Sequence, residues 1–176
     1  VIDFFKGEFF AAISTGLFEM QLRPDEMPLL ILETGRALID NAGYLLSTVI
    51  ANKRLSTGRR AVIIDAGVNI LFTGFWYKHK ISPAQEGGAH PEEASMFGPL
   101  CMNIDVIRES ITLPSLRKGD KLVIEDVGAY DMTQWMQFIS MRPNVVMIME
   151  DGTVELIRKA ENLEYILQQE ILPKKS

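Results

Sequence analysis

The sequence predicts an α/β piece over residues 1–43 followed by a mostly antiparallel β domain over residues 44–176, and three observations carry that reading. The first segment runs helix, short buried strand, helix. The second alternates β-rich runs of five to ten residues with turn residues. The third observation is one of quantity: a single βα unit closes neither a parallel barrel nor a doubly wound sheet, so the first segment needs a partner domain.

Phe4, Phe5, Phe9, Phe10, Ile13, Leu17 and Phe18 recur at helical spacing, which predicts a largely buried helix over residues 1–20 that ends before Pro24 and Asp25. Pro28 to Leu32 is a short apolar run bounded by a proline and a polar turn, the pattern of a buried parallel strand. It ends in Glu33-Thr34-Gly35-Arg36, and residues 37–43 then read as a short helix stopping near Gly43. Residues 44–53 and 60–65 predict a hairpin around Ser56-Thr57-Gly58. Residues 82–97, with two prolines and adjacent glycines, predict a long loop, and Ile104 to Glu109 a short helix capped by Asn103. Strands follow at 121–127, 134–139, 144–149 and 153–158, the last two joined by Asp151-Gly152. A terminal amphipathic helix is predicted over residues 161–171.

Composition excludes several classes. Hydrophobic residues are 47% and charged residues 23% of the chain, usage that supports a packed core rather than disorder. A net charge of -5 with scattered Lys and Arg argues against nucleic acid, which demands clustered cations. One cysteine forms no intrachain disulfide. No apolar run approaches the roughly 20 residues of a membrane-spanning helix, and no secretory signal is visible, so the expectation is a cytoplasmic protein without membrane partners. The chain opens on Val1 inside a helical pattern, the expectation for a piece of a longer protein.

Several residues have side chains able to do chemistry. Glu33 and Arg36 flank Gly35 at the end of the predicted strand, where α/β folds place ligands. The pair reads either as a surface ion pair or as a carboxylate for a ring nitrogen beside a guanidinium fork for an anion. A glycine between them would let a backbone N–H approach that anion. Cys101, in Gly98-Pro99-Leu100-Cys101, reads either as a small buried hydrophobe or as an exposed proton donor. Tyr130, in Gly128-Ala129-Tyr130, either caps the core or donates to a phosphate oxygen. His79 and His90 have no partner at metal-ligand spacing; both read as surface residues, and no metal is expected.

Together, in this order and register, these segments resemble the C-terminal half of the alanine-racemase-fold (type III) pyridoxal-phosphate-dependent decarboxylases, the family of diaminopimelate and ornithine decarboxylases. Glu33-Thr34-Gly35-Arg36 resembles the family's Glu-Pro-Gly-Arg motif, with Thr34 in place of proline. Asp65-Ala66-Gly67-Val68-Asn69 is similar to its Asp-Ala-Gly-Met-Asn stretch, Gly98 to Cys101 to its Gly-Pro-x-Cys motif, and Gly128 to Tyr130 to its Gly-Ala-Tyr motif. The resemblance implies that residues 1–43 are the C-terminal end of a (β/α)8 barrel and residues 44–176 a β-barrel or sandwich domain with a terminal helix. It implies Glu33 on the pyridine nitrogen, Gly35, Arg36 and Tyr130 at the phosphate, and Arg36 and Tyr77 at the substrate. Cys101 would protonate the carbanion left by CO2 in a partner subunit's site, within a homodimer of shared active sites. The cofactor-bearing lysine would lie in earlier barrel strands. Two departures bear on substrate: Met102 stands where the diamino-acid enzymes carry a carboxylate for the distal amine, and Thr73 where diaminopimelate decarboxylases carry an arginine. Both count against diaminopimelate. The competing readings are a racemase or epimerase on the same fold, and a non-catalytic β-barrel interaction module.

Overall fold

The computed structural model describes residues 8–29, 31, 33–85, 88 and 90–173. Its centre is a six-stranded sheet in the order β3-β6-β1-β2-β4-β5, built from β1 (Tyr44–Arg54), β2 (Arg60–Ile64), β3 (Ile81–Pro83), β4 (Glu92–Phe97), β5 (Val106–Leu113) and β6 (Lys121–Glu125). A separate hairpin joins β7 (Val145–Ile148) to β8 (Val154–Arg158). The described residues also form three α-helices: α1 (Glu8–Glu19), α2 (Gly35–Ile39) and α3 (Leu163–Leu167).

The sheet turns on β1. Its first half pairs antiparallel with β6, Tyr44 opposite Glu125 through Thr48 opposite Lys121. Its second half pairs with β2, and the register shifts between Val49 and Ala51. Such an irregularity bends a strand and raises its twist, so β1 carries the sheet around a corner and produces a half-barrel. One pair, β2 with β4, is parallel; the others are antiparallel. Val49, Val62, Ile64, Met96, Ile107, Leu113, Leu122 and Ile124 fill the concave side, all at 3% exposure or less. This core carries the stability and sets where the loops begin.

The hairpins predicted over 44–65 and 144–158 are present; the strand predicted over 121–127 is β6, and the helix predicted over 37–43 is observed as α2 (Gly35–Ile39) followed by a 3-10 turn at Asp40–Ala42. Four expectations are corrected. Residues 104–109 are not a helix; Val106–Leu113 is β5, because its β-branched residues gain a full ladder with β4. Residues 134–139 form no strand, only a 3-10 turn at Met132–Gln134. The expected loop at 82–97 contains the end of β3 and the whole of β4. The predicted helix over 1–20 is observed as α1, but Phe18 is 85% exposed, and Leu29 and Ile31 beyond it are 86% and 74% exposed in irregular backbone. Among the described residues no strand or helix covers these apolar side chains. Phe4, Phe5, Leu30 and Leu32 lie outside the described residues. The described residues form no closed parallel barrel, and the fold seen here is the β-rich half-barrel sheet.

Candidate functional site

The site gathers where α2 meets the loop after β6. Gly43 and Gly128 bring the two backbones together: the Val127 N–H donates to the Gly43 carbonyl (3.1 Å) and the Gly128 N–H to the Asp40 carbonyl (2.9 Å). A side chain at Gly128 would overlap the Ile39 carbonyl, so only glycine permits this approach. The Asp40 carboxylate also accepts from the Ala129 N–H (3.3 Å). Segments almost ninety residues apart are thereby fixed against each other.

Arg36 and Asp40 lie one helical turn apart, and the Arg36 Nη1 donates to both Asp40 oxygens at 2.8 and 2.7 Å. Burial alone would lower the Arg36 pKa, but the Asp40 carboxylate outweighs it and raises the value above the ordinary one. The guanidinium stands over the Tyr77 ring, 3.9 Å from its centroid, and 5.5 Å from that of Tyr130. Its second terminal nitrogen, Nη2, is buried and makes no hydrogen bond among the described residues. The result is a fixed cation with one donor group unspent. Tyr130 is half exposed, with φ of 68°, a conformation that non-glycine residues rarely hold. Its hydroxyl lies against Gly35, where any side chain would overlap it. Gly35 thus makes room for the tyrosine. Its N–H is turned to the Glu33 carbonyl (3.1 Å), so the expectation that this N–H is presented to an anion is corrected. Glu33 is exposed and makes no side-chain hydrogen bond among the described residues.

Cys101 follows a second fixed turn. Buried Asp105 accepts from the Leu100 N–H (2.7 Å) and the Val68 N–H (2.8 Å), tying the Gly98–Cys101 loop to the Asp65–Asn69 loop. Burial raises its pKa against the opposing pull of those two N–H groups. Asp65 is anchored in turn to β1 through the Ser47 hydroxyl (2.7 Å) and the Thr48 N–H (2.7 Å). On this support Cys101 is exposed, not a buried small hydrophobe. Met102 packs against the core beside it.

The structure therefore brings together Gly35, Arg36, Tyr77 and Tyr130, leaves Glu33 on the exposed approach, and holds Cys101 on a separate loop. His79 corrects the sequence reading. It is 5% exposed, with Nε2 at 3.0 Å from the Thr73 hydroxyl and Nδ1 facing the Glu125 carbonyl at 3.2 Å, whereas His90 is exposed as expected. Asp40, Asp105 and Asp131 escaped the sequence reading. The four-residue spacing of Arg36 and Asp40 could have signalled the first; no comparable spacing signals the other two, since Asp105 joins nearby Leu100 to distant Val68 and Asp131 holds distant Thr73.

The fold is a half-barrel sheet with a guanidinium packed against two tyrosines and, on a separate loop, an exposed thiol. Comparison with known proteins specifies it further. The family described as pyridoxal-dependent decarboxylase, C-terminal sheet domain, matches residues 11–128. A diaminopimelate decarboxylase of Helicobacter pylori is 34% identical over 147 residues, 81% of this chain and 36% of the relative. That of Methanocaldococcus jannaschii is 36% identical over 151 residues, 84% of this chain and 34% of the relative. The crystal structure of the M. jannaschii enzyme aligns with a TM-score of 0.75 over 84% of this chain and 34% of that one, and the same enzyme is known in complex with L-lysine. The chain belongs to this family of pyridoxal-dependent decarboxylases and spans about a third of the length of the curated relatives it matches.

Proposed function

We propose that this chain supplies the cofactor-clamping and proton-donating part of a pyridoxal-phosphate-dependent amino-acid decarboxylase. One observation carries the reading: Gly35, Arg36, Tyr77 and Tyr130 converge from three separate segments on one cationic, hydroxyl-bearing cradle. The residues fit the cofactor chemically. The unspent Nη2 of Arg36 and the Tyr130 hydroxyl are donors suited to a phosphate or carboxylate, and neither needs to leave its partners to bind one.

Pyridoxal phosphate, when bound, supplies an electron sink for the bond that releases CO2. This chain's residues do the rest. Tyr130, Gly35 and Arg36 would hold the phosphate, and Glu33 would pair with the ring nitrogen and keep it protonated. Arg36 and Tyr77 orient the substrate. Cys101, exposed and held by Asp105, delivers a proton to the substrate carbon in the site of a partner subunit. That role implies a homodimer with shared sites, and the absence of any membrane-crossing helix among the described residues is compatible with a cytoplasmic enzyme. The division at residues 43 and 44, barrel end against sheet domain, belongs to the same proposal.

The relatives act on diaminopimelate by name. Here Thr73 is buried in hydrogen bonds to Asp131 and His79, and Met102 is packed on the core, so neither position offers a charge to a distal ammonium or carboxylate. This supports an amino acid or derivative whose far end is uncharged.

The test uses the full-length protein. Titration with pyridoxal phosphate should develop visible absorbance, and amino acids should then lose CO2 with retention of cofactor. Loss of optical rotation without CO2 would mean a racemase, and an absence of cofactor uptake would reduce the chain to an interaction module; either result overturns the proposal.

A further inference from the structure

Behind the two tyrosines lies a buried chain of three side chains. The Thr73 hydroxyl donates to Asp131 Oδ1 at 2.7 Å and stands 3.0 Å from His79 Nε2, and the Thr73 N–H also donates to Asp131 Oδ1 at 3.1 Å. On its far side His79 Nδ1 faces the Glu125 carbonyl at 3.2 Å. All three residues are 5% exposed or less.

Counting hydrogens decides what this arrangement holds. A carbonyl only accepts, so Nδ1 must carry hydrogen. Thr73 has one hydroxyl hydrogen, and with that hydrogen on Asp131 it can only accept from His79, so Nε2 must carry hydrogen as well. Alternatively Asp131 carries the hydrogen, and Thr73 gives its own to Nε2. Every contact is satisfied only when Asp131 and His79 together hold one proton more than a carboxylate and a neutral imidazole. The two arrangements interconvert without change of charge: the Nε2 hydrogen passes to Thr73 Oγ1 as the Thr73 hydrogen passes to Asp131 Oδ1. A second observation agrees. Asp131 Oδ2 is buried without a hydrogen-bond partner, a costly place for carboxylate charge. Burial accordingly raises the Asp131 pKa, against the opposing pull of Thr73, His79 and Arg36.

We propose that Asp131, Thr73 and His79 form a buried relay holding one shared proton, which positions Tyr77 and Tyr130 around Arg36. Asp131 directly follows Tyr130, and Thr73 and His79 bracket Tyr77 in sequence. The relay therefore ties together the two loops that sandwich the guanidinium. The charged groups around it are Arg36, whose charge reaches Asp131, and Arg108, whose guanidinium donates to the His79 carbonyl; Lys80 and Glu125 pair with each other at the surface. Loss of the shared proton leaves a net negative charge beside Arg36 and an unsatisfied contact, and the cage loosens. These three are positioning residues; none need touch a ligand.

The inference deepens the proposed function, and its test has two arms that fail separately. The first is independent of cofactor: thermal stability of the full-length protein as a function of pH, for the wild type and for Thr73→Ser, Asp131→Asn and His79→Gln. The wild type and Thr73→Ser should lose stability with rising pH more steeply than the other two, by up to a tenfold change in the folding constant per pH unit for one proton. Equal slopes in the wild type and Asp131→Asn overturn the shared proton, and Thr73→Val and His79→Gln carry the comparison if Asp131→Asn does not fold. The second arm is pyridoxal phosphate affinity against pH, which should fall at high pH in the wild type and stay flat in Asp131→Asn. Parallel profiles there overturn the positioning role, whereas no binding in any protein counts against the proposed function and leaves the first arm to decide the relay.

Discussion

Cys101 protrudes from a loop whose shape depends on Asp105, two of whose oxygens each hold a backbone N–H. Asparagine at 105 supplies one acceptor oxygen where two are used, so one buried N–H loses its partner. Asp105→Asn should cost about 1–3 kcal/mol, measured by denaturant unfolding. It should also lower turnover by misplacing the thiol. Arg36 poses a comparable case. Lysine keeps its charge but cannot both grip Asp40 and leave a donor free, so Arg36→Lys should bind pyridoxal phosphate at least tenfold more weakly in an absorbance titration, with the fold unchanged. Residues of this kind were half legible in the sequence. Arg36, Tyr77, Cys101 and Tyr130 stand in motifs and could be named. Asp105 and Asp131 act through partners far along the chain, Val68 and Thr73, and His79 bridges nearby Thr73 to the distant Glu125 carbonyl; no motif announces such contacts.

Among the elements, the contact between α2 and the loop after β6 is the most sensitive. A methyl group at Gly128 meets the Ile39 carbonyl, backbone against backbone, with no flexible end to yield. Gly128→Ala should therefore destabilise by about 3 kcal/mol and separate Arg36 from Tyr130. The β7–β8 hairpin is held differently, by Glu161, which accepts from the Arg142 N–H (3.1 Å) and pairs with its guanidinium. That hydrogen bonding, working against burial, holds the Glu161 pKa down at about 2. A depressed carboxylate stabilises above its ordinary value and loses that contribution as pH falls toward 2. Between pH 5 and pH 2 the hairpin should lose hydrogen-exchange protection, and Glu161→Gln should show the weaker protection already at pH 6. Hairpins were the most legible elements, since turn residues and β-branched runs are local signals. β5 was misread because its ladder with β4, a long-range gain, outweighs the weak capping signal at Asn103.

For the whole molecule, the half-barrel sheet explains why loops from β2, β4 and β6 can carry chemistry: a core with side chains at 3% exposure or less fixes their origins. Phe18, Met27, Leu29 and Ile31 remain exposed on the same chain, the surface expected of a segment that folds against a further domain. The sequence leads to the same expectation of a partner domain through simple quantity, one βα unit being too few. It did not show the corner in β1, because a register shift depends on both neighbouring strands and not on the residues of one. The account as a whole holds that this sheet domain serves decarboxylation with Cys101 as the proton donor. The measurement that tests it most directly is CO2 release by the full-length protein carrying Cys101→Ala, with pyridoxal phosphate bound. The account predicts a loss of turnover of at least about a hundredfold with cofactor affinity unchanged; turnover equal to that of the wild type would contradict it.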